Sequence, residues 1–120
     1  MAKSDADLSK PERIDREFKK LKTIFKGLPK KNLKLFEAFL QNVAFMKAEL
    51  EDLQKKVIKN GASEAYKNGN NQSGRKESAD LQAYNSVMKN YTAAIKVLAA
   101  ELDKLPQEMK TSKLEQLLNG

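Results

Sequence analysis

The sequence predicts an all-α protein: a basic N-terminal helix followed by a long antiparallel helical hairpin. Three observations carry this expectation. Apolar residues recur at alternating spacings of three and four along successive segments, the period of an amphipathic helix. Cap residues, Gly and Pro stand at the ends of those segments. Charged residues make up 32% of the 120 residues and aromatics 7%, so the core is built from Leu, Ile, Val, Ala and a few Phe, the composition of a helical chain.

The elements follow in order. Residues 1–9 are small, polar and unpatterned, and are expected to be disordered. Ser9, Pro11 and Glu12 read as a helix start, with Pro in the first turn. Ile14, Phe18, Leu21 and Phe25 then mark one face of a basic helix over residues 10–28, which Gly27 and Pro29 end. Asn32 is the expected cap of the next helix, whose stripe runs through Leu33, Phe36, Leu40, Val43, Met46, Leu50, Leu53 and Val57 to Asn60-Gly61. At 1.5 Å per residue this helix is a rod of roughly 40 Å. Leu35 and Phe39 widen its apolar arc to roughly half the circumference, and Phe45 lies outside even that. A single partner helix cannot cover so wide a face, so the first helix or other subunits must. Residues 60–78 form a polar connector. Ser78 and Asp80 suit the start of the last long helix, where Leu81, Tyr84, Met88, Tyr91, Ile95, Leu98, Leu102 and Leu105 form an unbroken seam. The hairpin thus spans 32–105, and Pro106 ends it. Residues 106–120 carry a short amphipathic pattern, Met109, Leu114, Leu117 and Leu118, which must dock on the chain itself or on a partner.

Composition excludes several functions. The chain has no Cys and no His, so disulfides, zinc sites and His-based acid–base catalysis are ruled out, and no metal or other cofactor is expected. No apolar run approaches the ~18 residues of a membrane span, and the N-terminus lacks a signal-peptide stretch. A cytoplasmic location follows, with no membrane partner. Gly69-x4-Gly74-Arg75-Lys76 brushes against a phosphate-binding loop, but it lacks the Lys-Ser/Thr ending and the preceding strand. Glu49, Glu51 and Asp52 point in different directions and make no metal cage, and no catalytic pocket is legible.

Net charge is +7, and residues 1–31 hold ten Lys or Arg against five Asp or Glu. The basic excess is therefore N-terminal, which fits a polyanion partner. Arg13, Arg16, Lys19, Lys20, Lys22, Lys26, Lys30 and Lys31 are the candidate DNA-binding residues. Six phosphate contacts from this row would give a salt slope of roughly −5 per bound subunit. Glu12, Asp15 and Glu17 interrupt the row, as in a merely soluble helix. No helix-turn-helix pattern is clear, so base-specific readout has no sequence support.

The connector carries one further signal. Its residues Tyr66-Lys67-Asn68-Gly69-x-x-Gln72-Ser73-Gly74-x-Lys76-x-Ser78 are followed by Tyr84-Asn85 and Asn90-Tyr91. Upstream stands Ala44-Phe45-Met46-Lys47-Ala48-x-Leu50-x-Asp52-Leu53-Gln54. In both order and spacing the chain resembles the phage terminase small subunit family over residues 15–105. It departs at Ala79, where relatives often have Pro. The resemblance implies a non-catalytic DNA-packaging protein in the host cytoplasm, a ring of roughly eight to eleven copies. Such a ring binds double-stranded viral DNA and recruits the large terminase subunit, which carries the ATPase and nuclease. On this reading Phe39, Val43, Phe45, Met46, Leu50, Tyr84, Met88, Tyr91, Ile95 and Leu98 contribute to oligomerisation. Met109, Leu114, Leu117 and Leu118 bind the large subunit. The alternative is a non-enzymatic coiled-coil adaptor or chaperone-like bundle whose charge serves solubility.

Overall fold

The computed structural model describes residues 7–28, 31–67 and 73–119. Four helices and one small sheet follow in the order α1 (Lys10–Ile24), α2 (Leu33–Asn60), β1 (Ser63–Lys67), β2 (Ser73–Glu77), α3 (Ala79–Leu102) and α4 (Gln107–Asn119). The fold is mostly helical, and no helix is long and apolar enough to cross a membrane. The molecule measures 63 × 35 × 26 Å. Of the disorder expected over residues 1–9, positions 1–6 lie outside the described residues, and Ser9 is instead the ordered N-cap of α1.

The starts of α1 and α3 are set by local chemistry. Ser9 is in an extended conformation and its hydroxyl accepts from Glu12 N, while the Glu12 carboxylate accepts from Ser9 N in return, a complete capping box with Pro11 in the first turn. Ser78 caps α3 by accepting from Leu81 N at 3.1 Å. Asn32 stands at the N-cap of α2 as expected, but its side chain makes no capping bond. The first helix also stops earlier than Gly27, at Ile24, and Gly27 supplies the positive φ of 88° for the turn that follows.

Helix α2 is the centre of the molecule, packed against α3 and α1. Helix α1 runs antiparallel to it: Lys10 and Arg13 meet Glu49 and Asp52, Glu17 meets Lys47, and Phe25 meets Phe36 edge-on with ring centroids 5.4 Å apart. It therefore covers α2 from Phe36 to Asp52 and leaves the last two turns of α2 without it. The core lies at the opposite end, where Leu21, Ile24 and Phe25 of α1 and its C-terminal turn meet Leu40, Val43 and Ala44 of α2, Ala94, Leu98 and Leu102 of α3, and Leu117 of α4. Burial of these side chains contributes about 1.5–3 kcal/mol for each large one. Helix α4 is tied down by Leu117, which is 7% exposed, and by Lys113 Nζ, which donates to the Ile24 carbonyl at 2.6 Å and so satisfies an orphan group at the α1 terminus.

The fold is mostly helical as expected, and the connector adds one small sheet to it. Instead of a loop the connector contains an antiparallel β-hairpin, with Ser63 opposite Glu77, Ala65 opposite Arg75 and Lys67 opposite Ser73. Gly61 leaves α2 at φ 92° and ψ 161°, backbone that is essentially Gly-only. Ser78 N donates to Ala62 O at 2.9 Å and closes the hairpin base. Arg75 holds the strands together through Ser63 Oγ at 3.1 Å and Ser63 O at 3.2 Å, and Lys76 faces Glu64 at 3.7 Å. The hairpin and the last turns of α2 form an arm beyond the reach of α1.

Candidate nucleic-acid and assembly surfaces

The basic row of α1 is largely neutralised by acids. Arg13 Nη2 donates to Asp52 Oδ1 at 2.7 Å, and its Nη1 lies 3.9 Å from Glu51 Oε1. Its side chain is only 16% exposed, so Arg13 fastens α1 to α2 and does not face outward as the sequence suggested. Lys10 bonds Glu49 and lies 3.5 Å from Asp52. Glu17 accepts from Lys47 at 3.2 Å and lies 3.3 Å from Lys20. Lys19 pairs with Asp15 at 2.9 Å on the exposed side. Lys22 rests its ammonium 4.7 Å from the centroid of the Phe18 ring. Lys26 and Lys31 are exposed, and Lys30 lies outside the described residues.

Arg13, Arg16, Glu17, Lys20, Lys47 and Glu51 line a polar cleft of about 310 Å³ between α1 and α2. Arg13 Nη1 and Lys20 Nζ are buried there without a hydrogen bond, held by the neighbouring carboxylate charges. The electrostatics follow from the pairing. Burial pushes the Asp52 carboxyl up, but the Arg13 hydrogen bond, the Arg13 charge and Lys10 outweigh it and hold the group below its ordinary range. The hydrogen bond to Glu49 raises the Lys10 ammonium, aided by the Glu49 and Asp52 charges and opposed by burial. Tyr91 is raised by burial and then by the charges of Glu17 and Glu51.

The candidate assembly residues divide by burial. Val43 and Leu98 are 1% and 0% exposed and Leu50 is buried, so these three hold the chain's own core and are not free to meet another copy. Phe39, Met46, Tyr91 and Ile95 are half-buried against that core, and Tyr84 and Met88 are half-buried on α3. Phe45 is exposed, as its position outside the apolar arc implied. An apolar groove of about 640 Å³ opens between α2 and α3, lined by Leu35, Phe36, Ala38, Phe39 and Val97 with Asn32, Asn42 and Glu101 at its edges. Leu35 is 69% exposed and Val97 53%. On α4, Leu117 is buried and Leu114 packs against the core, which corrects the expectation that all four residues are offered to a partner. Met109 and Leu118 are exposed.

One surface escaped the sequence reading. With Arg13, Lys19 and Lys20 paired, exposed positive charge remains at Lys22, Lys26 and Lys31 around the C-terminal end of α1, and also on the arm. Lys55, Lys56 and Lys59 are exposed on the last turns of α2, and Arg75 and Lys76 are exposed on β2. The signal was the Lys55-Lys56-x-x-Lys59 spacing beside Arg75-Lys76. Counting charge by chain segment hid it, because Glu49, Glu51 and Asp52 fall in the same stretch and cancel it on paper.

Comparison with protein-family models, with curated proteins and with solved structures found no match for this chain.

Proposed function

We propose that this chain is the small subunit of a phage terminase, a non-catalytic protein that assembles into a ring, binds double-stranded viral DNA and recruits the large ATPase–nuclease subunit in the host cytoplasm. The observation that carries the reading is the apolar groove between α2 and α3, where Leu35 and Val97 stand exposed beside Phe39. Apolar patches of this kind mark contact sites between proteins. A head-to-tail contact between copies closes into a ring when its rotation allows. The order of residues in the connector and along α2 and α3, which resembles the small terminase subunits, supports the same conclusion, as does the positive net charge.

The test is the native mass of the purified protein. A single species of roughly eight to eleven subunits that binds a large-subunit ATPase supports the reading. Leu35→Asp with Val97→Glu should then reduce the assembly to monomers while the helical circular dichroism stays unchanged. A second reading, a helical adaptor without nucleic-acid function, is favoured by one observation: Arg13, Lys19 and Lys20 are paired with carboxylates. A stable monomer or dimer with no affinity for duplex DNA at low salt selects that reading.

A further inference from the structure

We propose that duplex DNA is gripped by the arm rather than by the front of α1, with Lys55, Lys56, Lys59 and Arg75 as the phosphate contacts. This rests on the DNA-binding reading above and assigns its surface. At about 100° per residue, Lys55, Lys59 and Lys56 fall within an arc of roughly 100°. Leu53 and Val57 lie on the opposite, inward side of the helix, and Leu53 is buried. The three lysines are exposed, and among the described residues no ion pair engages them. Arg75 stands exposed on β2 opposite Ala65, its guanidinium anchored on Ser63 Oγ and Ser63 O just past the end of α2. On the front of α1, Arg13, Lys19 and Lys20 are paired with carboxylates, and Lys22 and Lys26 are the exposed cations that remain. A cation already 2.7–3.3 Å from a carboxylate, as in Arg13, Lys19 and Lys20, adds little net charge toward a phosphate unless that pair is broken.

Nucleic acid fits this surface better than a lipid bilayer. A helix that lies on a membrane needs an apolar face beside its cations. Among the described side chains of the patch, Ile58 is the exposed large apolar residue, and the chain has no Trp. The strands beside it are Ser-Glu-Ala-Tyr-Lys and Ser-Gly-Arg-Lys-Glu, which are mostly polar. Lys55 and Lys59 stand about 6 Å apart along the axis at 1.5 Å per residue, within reach of neighbouring phosphates on one strand.

Four contacts give a salt slope of about −3.6 per bound subunit, at about −0.9 per contact. Wild-type affinity then falls roughly 150-fold between 50 and 200 mM salt. In K55Q/K56Q/K59Q one contact remains, and the fall is roughly 3- to 4-fold. Gln keeps the helix propensity of Lys. The experiment is fluorescence anisotropy of a labelled duplex with the full chain over a salt series. It compares the wild type, the arm variant, K19Q/K22Q/K26Q on α1 and the single variant R75Q. The expected result is a slope reduced by about 2.7 in the arm variant and by about 0.9 in R75Q, with little change in the α1 variant. If the arm variant misfolds, R75Q alone decides. A slope lost in the α1 variant and kept in the arm variants overturns the proposal and leaves the DNA-binding reading standing. A wild type that ignores duplex DNA at low salt, or that binds phosphatidylserine vesicles instead, overturns both.

Discussion

Arg13→Gln tests whether α1 is a structural helix or a DNA-facing one. Arg13 Nη2 sits 2.7 Å from Asp52 Oδ1 with side chains 16% and 28% exposed, so solvent screens the pair only partly. A hydrogen bond to a charged group contributes about 1.5–3 kcal/mol. Lys10 remains 3.5 Å from Asp52 in the variant and keeps the carboxylate paired, which places the loss near the lower end, about 1.5 kcal/mol. For a domain of this size that is a drop in Tm of about 6 °C. The assay is thermal denaturation followed by far-UV circular dichroism, with both proteins at the same protomer concentration because assembly shifts Tm. The pH dependence has a definite sign. Burial raises Asp52, but the Arg13 hydrogen bond, the Arg13 charge and Lys10 outweigh it and leave its folded pKa below the unfolded value. Its contribution is therefore complete above the unfolded pKa and disappears as pH falls through the folded pKa. The gap between wild type and variant should be full at neutral pH and close in strong acid. The reasoning is refuted if the variant melts with the wild type at neutral pH while its DNA salt slope falls by about 0.9. Arg13 would then face a phosphate.

Three further outcomes follow from the fold. Leu98→Ala removes a fully buried side chain from the core and should cost about 3 kcal/mol, read as a lower urea midpoint with an unchanged slope. Gly61→Ala should cost about 1–3 kcal/mol; the cause is the backbone at φ 92°, since the nearest atom to an added Cβ is Ser63 O at 3.9 Å, so Gly61→Ser should cost the same in that urea melt. Ser9→Ala removes half of the capping box and should cost about 1 kcal/mol, seen as faster amide exchange at Glu12 and Arg13 by NMR.

The helices were legible because their signals are local. Ser9-x-x-Glu12 with Pro11, Gly61 and Ser78 each act within one turn, and the structure places each at the helix end the sequence indicates. The β-hairpin was hidden because Ser-Glu-Ala-Tyr-Lys and Ser-Gly-Arg-Lys-Glu contain no β-branched residue and propensity argues against strands there. It forms because Gly61 turns the chain outward and Ser78 N closes the base on Ala62. The Asn68-Gly69 pair within the connector was the available hairpin cue. The charge pattern misled for a different reason. Periodicity gives the faces of one helix and not what stands opposite them, so the pairing of Arg13 with Asp52, 39 residues away, was invisible until both helices were placed. The burial of Leu117 was unreadable on the same grounds, since its neighbours come from both halves of the chain.

The bond from Lys113 to the Ile24 carbonyl joins residues 89 apart in sequence. Closing a loop of that length costs about 4 kcal/mol in its length-dependent part, against about 3 for the 30-residue span between Glu17 and Lys47. The α1–α4 contact should therefore close after the α1–α2 contact, and α4, a short helix at the chain end, should be the first part of the core end to detach under stress. When it lifts away, Ile24, Phe25, Leu98 and Leu102 lose the cover of Leu117. The partly unfolded species is then a nearly complete subunit with one adhesive end. Its aggregation rate should be governed by the opening of a single short helix rather than by global unfolding.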